Sequence, residues 1–208
     1  MSLNLLGRKI GMTQLFNKKG EVIPVTIIKS GPCVITEIKL IENCGYNAIQ
    51  LGYENYSSNS KLLTKPLLGY FSKKNLIPFK HLKEFHTEKP EEYKIGQKFT
   101  IESFQIGEKV NISGFTIGKG NAGNIKQHNF SRGGMGHGSK HKRLQGSLGS
   151  GTTPGRTFPG KRMPGRYGNE KRTVQGLEII DIDLTQNLLA IKGCIPGKSG
   201  NLLTITLK

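Results

Sequence analysis

"RTVQGLEIIDIDL", Arg172 to Leu184, decides how this chain is put together. It is dominated by Val, Ile and Leu, carries one Gly, and is soon followed by "NLLAIKG" (Asn187–Gly193) and "LLTITLK" (Leu202–Lys208). Similar runs stand far upstream: "EVIPVTIIKSG" (Glu21–Gly31), "CVITEIKLI" (Cys33–Ile41), "NAIQLGYEN" (Asn47–Asn55), "FTIESF" (Phe99–Phe104) and "KVNISGFTI" (Lys109–Ile117). Short runs of β-branched and aromatic residues broken by Gly, Pro or Asn read as strands. With no long amphipathic helix between them, they predict a mainly β protein, an antiparallel barrel or sandwich and not a parallel α/β sheet.

The strands after Arg172 must join the same core as those upstream, so whatever lies between is an insertion held at both ends. That stretch has its own composition. Residues 118–172 hold 12 Lys and Arg against one acid, Glu170, and 14 of the 28 glycines. Residues 1–117 hold 16 against 10 and residues 173–208 hold 3 against 3, so the middle quarter supplies 11 of the 17 net positive charges. Run out and back as an extended ribbon, it reaches roughly 90 Å at most, at ~3.3 Å per residue. Its midpoint then falls near Gln145, and the uncharged "GSLGSGTTPG" (Gly146–Gly155) beside it reads as a turn with Gly149, Ser150, Gly151 and Thr152 at the tip.

One domain is expected over 1–208, with a barrel core at about 1–60, 95–117 and 173–208 and the basic extension at 118–172. Residues 61–94 read as a second, partly helical insertion. Pro66 suits the first turn of a helix through "PLLGYFSKK", and Phe79, Leu82 and Phe85 fall three apart, as on one face of a helical turn.

A net charge of +17 works against a compact state unless a polyanion neutralises it, and nucleic acid is the first candidate. A charge run is by default a solvated face or a disordered arm. Here the charges are spread among Gly and Pro, which let the backbone bend close to an irregular surface. Only Phe130, Phe158 and Tyr167 are aromatic in this stretch, which argues against a stacking platform for single strands. Arg and Lys contacts to the phosphates of a structured RNA fit better.

Other chemistries find little support. "GKGNAG" (Gly118–Gly123) has dinucleotide-loop spacing but no amphipathic helix after it and no acid until Glu170. "GCIPGKS" (Gly193–Ser199) is one residue short of a phosphate-binding loop, and Pro196 lacks an N–H; it reads as a turn between strands. His128, His137 and His141 sit among cations that repel a metal ion, so no metal and no cofactor are expected. Cys33, Cys44 and Cys194 form no zinc spacing and read as buried small hydrophobes in a reducing compartment. No apolar run approaches the ~20 residues of a membrane span, and "MSLNLLGRKIGMTQLF" has no secretory-signal pattern, so a soluble protein that stays inside is expected.

"LGRKIGMTQLF" (Leu6–Phe16), "KPLLGYFSKK" (Lys65–Lys74), "TIGKGNAGNIKQHNF" (Thr116–Phe130) and "HGSKHKR" through "TPGRTFPGKRMPGRYG" (His137–Gly168) strongly resemble the universal large-subunit ribosomal protein three family, in its bacterial and plastid form. The resemblance covers essentially the whole chain. It implies a six-stranded β-barrel of the translation-protein type and no enzymatic activity. It also implies direct binding to large-subunit rRNA, early action in assembly, neighbouring large-subunit proteins as partners, and a loop directed towards the peptidyl transferase centre. No membrane and no small-molecule substrate enter this reading. Lys119, Lys126, His137, Ser139, Arg143, Arg156, Lys161, Arg162 and Arg166 match the family's rRNA-facing extension, and Arg132, Lys140, Lys142, Lys171 and Arg172 complete the expected rRNA-binding set.

The chain departs from the family pattern at Gln127 (usually Arg), Lys142 (usually His) and Gln145 (usually Pro), and Thr152 stands where some bacterial relatives carry a methylated Gln. "GTTPGRTFPGKRM" is similar to cyanobacterial and plastid members, and abundant Lys, Asn and Ile suit an A/T-rich genome. A plastid (chloroplast) ribosome is the expected location, ahead of the bacterial cytoplasm. A free-standing nucleic-acid-binding protein and a nucleotide-binding enzyme are the alternatives.

Overall fold

A computed structural model describes residues 4–56 and 63–208. Six strands, numbered in chain order with the rest, close into a barrel: β1 (Asn4–Phe16), β2 (Val22–Ser30), β7 (Lys109–Phe115), β10 (Lys171–Asp183), β11 (Leu188–Lys192) and β12 (Leu202–Leu207). The order around the barrel is β1-β12-β7-β10-β11-β2, and every neighbouring pair is antiparallel. The choice between barrel and sandwich thus resolves to the six-stranded barrel that the family resemblance implied.

Alternation along each strand fills the interior. In β7, Val110, Ile112 and Gly114 are buried while Lys109 and Phe115 face outward. They meet Leu5, Ile28, Ile179, Leu189, Ile191, Leu203 and Ile205, all buried. Packing is close enough that a Cβ on Gly114 would come within 2.7 Å of Leu203 Cδ2.

Lys9 of β1 breaks the apolar pattern. It is buried, and its ammonium donates to the carbonyls of Ile195 (3.0 Å) and Gly197 (2.9 Å). Those carbonyls belong to "GCIPGKS", so this segment is the turn between β11 and β12 that its sequence suggested, held by a lysine nearly 190 residues away.

A second antiparallel sheet runs in the order β5-β4-β3-β6, from β3 (Cys33–Lys39), β4 (Ala48–Asn55), β5 (Phe79–His86) and β6 (Lys98–Phe99). The short helix α1 (Ile41–Cys44) joins β3 to β4, and α2 (Lys65–Lys73) follows β4 with Pro66 in its first turn. Tyr70 and Phe71 seat α2 on the sheet. Tyr70 Oη lies 2.7 Å from Gln50 Oε1, and the Phe71 and Phe79 ring centroids are 6.1 Å apart. Cys33, Ile35, Leu51 and Tyr53 share one apolar cluster with the barrel residues.

Three expectations need correction. Phe79, Leu82 and Phe85 lie on a strand, not a helix: Phe79 and Phe85 share its buried face and Leu82 is exposed on the other, so the spacing that mattered was six, an even number. "FTIESF" supplies only Phe99 to the two-residue β6 and then makes a single 3₁₀ turn, Ile101–Ser103. Cys33 is buried, but Cys44 and Cys194 are exposed. The expected boundary between core and helical insertion, at residues 60 and 61, lies outside the described residues.

By its contacts the chain divides into two compact units. Barrel and second sheet form one, ending at Phe115 and resuming at Lys171, and Thr116–Glu170 forms the other. The two junction residues, Phe115 and Lys171, are paired across β7 and β10.

Candidate nucleic-acid interface

The second unit begins as a ribbon. β8 (Asn121–Ala122) pairs with β9 (Gly165–Arg166), and the ladder is prolonged by hydrogen bonds from Thr116 N to Glu170 O, Lys119 N to Tyr167 O and Tyr167 N to Gly120 O, each 2.9 Å. Gly168 makes this stem possible. Its φ is +72°, and a Cβ there would run into the carbonyl of Ile117. The five-residue helix α3 (Asn124–His128) follows, ending at Asn129 in the left-handed region. "GKGNAG" is therefore stem and helix entry, and α3 is far shorter than the crossover helix of a dinucleotide fold.

Beyond α3 no regular element forms before β9, and the backbone makes two excursions instead of one. The first is pinched where Gly133 N donates to Lys142 O (3.2 Å), and it turns at Gly136–Ser139. It comes back to α3, where the Asn124 amide donates to Gln145 Oε1 at 3.0 Å. The second passes through Gly149–Thr152 and returns at Met163, whose carbonyl lies 3.1 Å from His128 Nε2. Gln145, expected at the far end of a single ribbon, instead sits beside α3. A symmetric ribbon would put Gln145 at its far end; the buried Asn124 recruits the Gln145 amide to α3 instead. Gly149, Ser150, Gly151 and Thr152 are all exposed, in a turn held by Gly155 N to Gly151 O (3.1 Å) and Ser150 Oγ to Thr153 O (3.1 Å).

The expected contact residues divide between the units. Lys119, Lys126, Arg132, His137, Ser139, Lys140, Lys142, Arg143, Arg156, Lys161, Arg162 and Arg166 lie in Thr116–Glu170; Lys171 and Arg172 begin β10. Every Lys and Arg among them is exposed, and His137 and Ser139 sit at the turn of the first excursion. Lys119 lies over the Tyr167 ring, 4.7 Å from its centroid, an aromatic partner the sequence did not reveal. Nor did it reveal the Asn124–Gln145 pair, since two amides 21 residues apart leave no periodic signal.

Charge balance separates the units more sharply than shape. In the barrel unit, cations meet acids: Arg8–Glu54 at 3.2 Å, Lys39–Glu84 at 2.6 Å, Lys74–Glu37 at 3.2 Å and Lys192–Glu178 at 3.4 Å. Lys39 holds the Glu84 carboxyl below its usual range. The second unit has ten Lys and Arg and the single acid Glu170. Among the described residues none of those ten is in an ion pair. Only Ala122 and Asn124 are buried there, so these cations decorate a backbone scaffold with almost no apolar core.

The fold is thus a closed barrel with an inserted, strongly cationic arm. Residues 84–188 match the family described as Ribosomal protein L3. The chain is 55% identical over 205 residues to "Large ribosomal subunit protein uL3c" of Trieres chinensis, covering 99% of this chain and 98% of that one. It is 53% identical to "Large ribosomal subunit protein uL3" of a Picosynechococcus strain (99% and 96% covered) and to uL3c of Phaeodactylum tricornutum (99% and 98%). The chain belongs to the ribosomal protein L3 family, a family of structural, non-enzymatic proteins.

Proposed function

We propose that this large-subunit protein binds large-subunit rRNA directly through Thr116–Glu170, supports early subunit assembly, and directs Gly149–Thr152 towards the peptidyl transferase centre. The observation that carries the reading is the ten exposed cations that share a unit with one acid. A polyanion relieves the self-repulsion at that density, and the glycine-rich backbone lets side chains follow phosphates that crowd together. Lys171 and Arg172 continue the basic run into β10, and neighbouring large-subunit proteins cover other surfaces. The uL3c relatives and the cyanobacterial ones support a plastid ribosome as the location, with the bacterial cytoplasm as the alternative.

The test is the salt dependence of rRNA binding by the purified chain. With six phosphates engaged, affinity falls on the order of a thousandfold between about 50 and 200 mM salt. Removing the arm flattens the slope; an unchanged slope refutes the assignment. Cosedimentation with the large subunit after a high-salt wash separates this reading from a free-standing nucleic-acid-binding protein.

A further inference from the structure

Where the two excursions and α3 converge, an open cleft of about 380 Å³ is lined by Gly123, Asn124, His141, Leu144, Gln145 and Pro164, with Arg143 at its side. That volume is in the ~300–1,000 Å³ range of small-ligand sites. Asn124 is 97% buried, and its amide nitrogen donates to Gln145 Oε1. Asn124 Oδ1 is walled off from solvent and has no hydrogen-bond partner, and the same holds for Gln127 Oε1 three residues on. Orphaned buried acceptors are uncommon in native proteins, and each points to a donor that arrives from elsewhere. Gln145 leaves its own amide nitrogen uncommitted beside this gap.

We infer that the cleft takes one unpaired RNA nucleobase. A base edge presents a donor next to an acceptor, which is what an amide pair with one half unmade requires: it accepts from Gln145 Nε2 and donates to Asn124 Oδ1 as the pair parts slightly to admit it. Leu144 and Pro164 supply apolar surface for the ring faces, His141 a ring to stack on, and Arg143 a cation for the flanking phosphate. The inference rests on the rRNA reading above and adds to it a single point of base recognition in an arm that otherwise meets phosphates.

Chemical footprinting of naked large-subunit rRNA with the full-length chain, using dimethyl sulfate and carbodiimide on base edges, tests it. Two variants are compared with the wild type. Asn124→Ala removes the orphaned acceptor. Gly123→Phe puts a ring at the cleft from a position with ordinary extended backbone where a Cβ meets nothing within 4 Å. The expected result is one unpaired base protected by the wild type and exposed by both variants, with affinity lowered by about tenfold, the worth of one or two hydrogen bonds, and the salt slope unchanged. Unaltered base protection in Gly123→Phe overturns the inference, as does binding by the wild type that protects no unpaired base. If the wild type fails to bind rRNA at all, it is the broader reading that falls, and the unchanged-slope arm of the comparison makes that distinction visible.

Discussion

Replacing Thr116–Glu170 with a four-residue Gly/Ser linker should leave a folded and somewhat more stable barrel. Every residue of the main apolar cluster lies outside the excised segment, and the cut ends, Phe115 and Lys171, are already paired across two strands. Shortening the connection from 55 residues to four lowers the closure cost by on the order of 2 kcal/mol, from (3/2)RT times the logarithm of the length ratio. For a chain of the remaining size this raises Tm by about 5 °C. Removing ten Lys and Arg and one Glu also takes the net charge from +17 to +8, which acts in the same direction. Circular dichroism should show a β spectrum and a cooperative melt at or above the parent's Tm. A molten chain, or a Tm lowered by 5 °C or more, would refute the claim that the arm contributes nothing to the core.

Lys9→Met should cost about 2 kcal/mol in chemical denaturation, because the carbonyls of Ile195 and Gly197 lose the ammonium donor they share. The Cys33 thiol is pushed from 9.0 up to about 11 by burial, so between those values the folded state holds a proton that the unfolded state has released. Stability must therefore fall as pH rises from 9 to 11, by on the order of 3 kcal/mol at most from this group, and Cys33→Ala should flatten that limb. A thiol reagent at neutral pH should modify Cys44 and Cys194 in the native protein and Cys33 only after unfolding. Gly151→Arg meets nothing of its own chain, so it should leave the melt unchanged while altering ribosome sensitivity to drugs bound at the peptidyl transferase centre. An altered melt with normal drug response would move the tip elsewhere.

The strands that were legible in the sequence are those whose alternation is apolar on the buried face: β2, β3, β4, β7, β10, β11 and β12 all fall within runs of Val, Ile, Leu or Thr. β1 was not, because it reads "NLLGRKIGMTQLF" and buries a lysine whose partners lie in a turn almost 190 residues away. β5 misled because Phe79, Leu82 and Phe85, three apart, read as a helical stripe while the two phenylalanines, six apart, equally suit one face of a strand, and pairing with β4 decides between them. In the arm, the cations were legible one by one, since an exposed Lys or Arg needs no partner to be read. Its path was not, because that path depends on single amide and carbonyl contacts such as Asn124 with Gln145 and His128 with Met163.

The seam between β1 and β12 pairs Asn4 with Thr206, more than 200 residues apart in sequence. During synthesis that seam cannot form until β12 has emerged. The arm is finished at Glu170, and the residues that complete the barrel follow over several seconds at ~5–20 residues per second. For that interval a strongly cationic segment exists without the closed body that will carry it, free to meet any polyanion nearby. Order of manufacture thus makes the last strand a checkpoint: a nascent chain that stops short of β12 presents its full basic arm on a barrel that cannot shut.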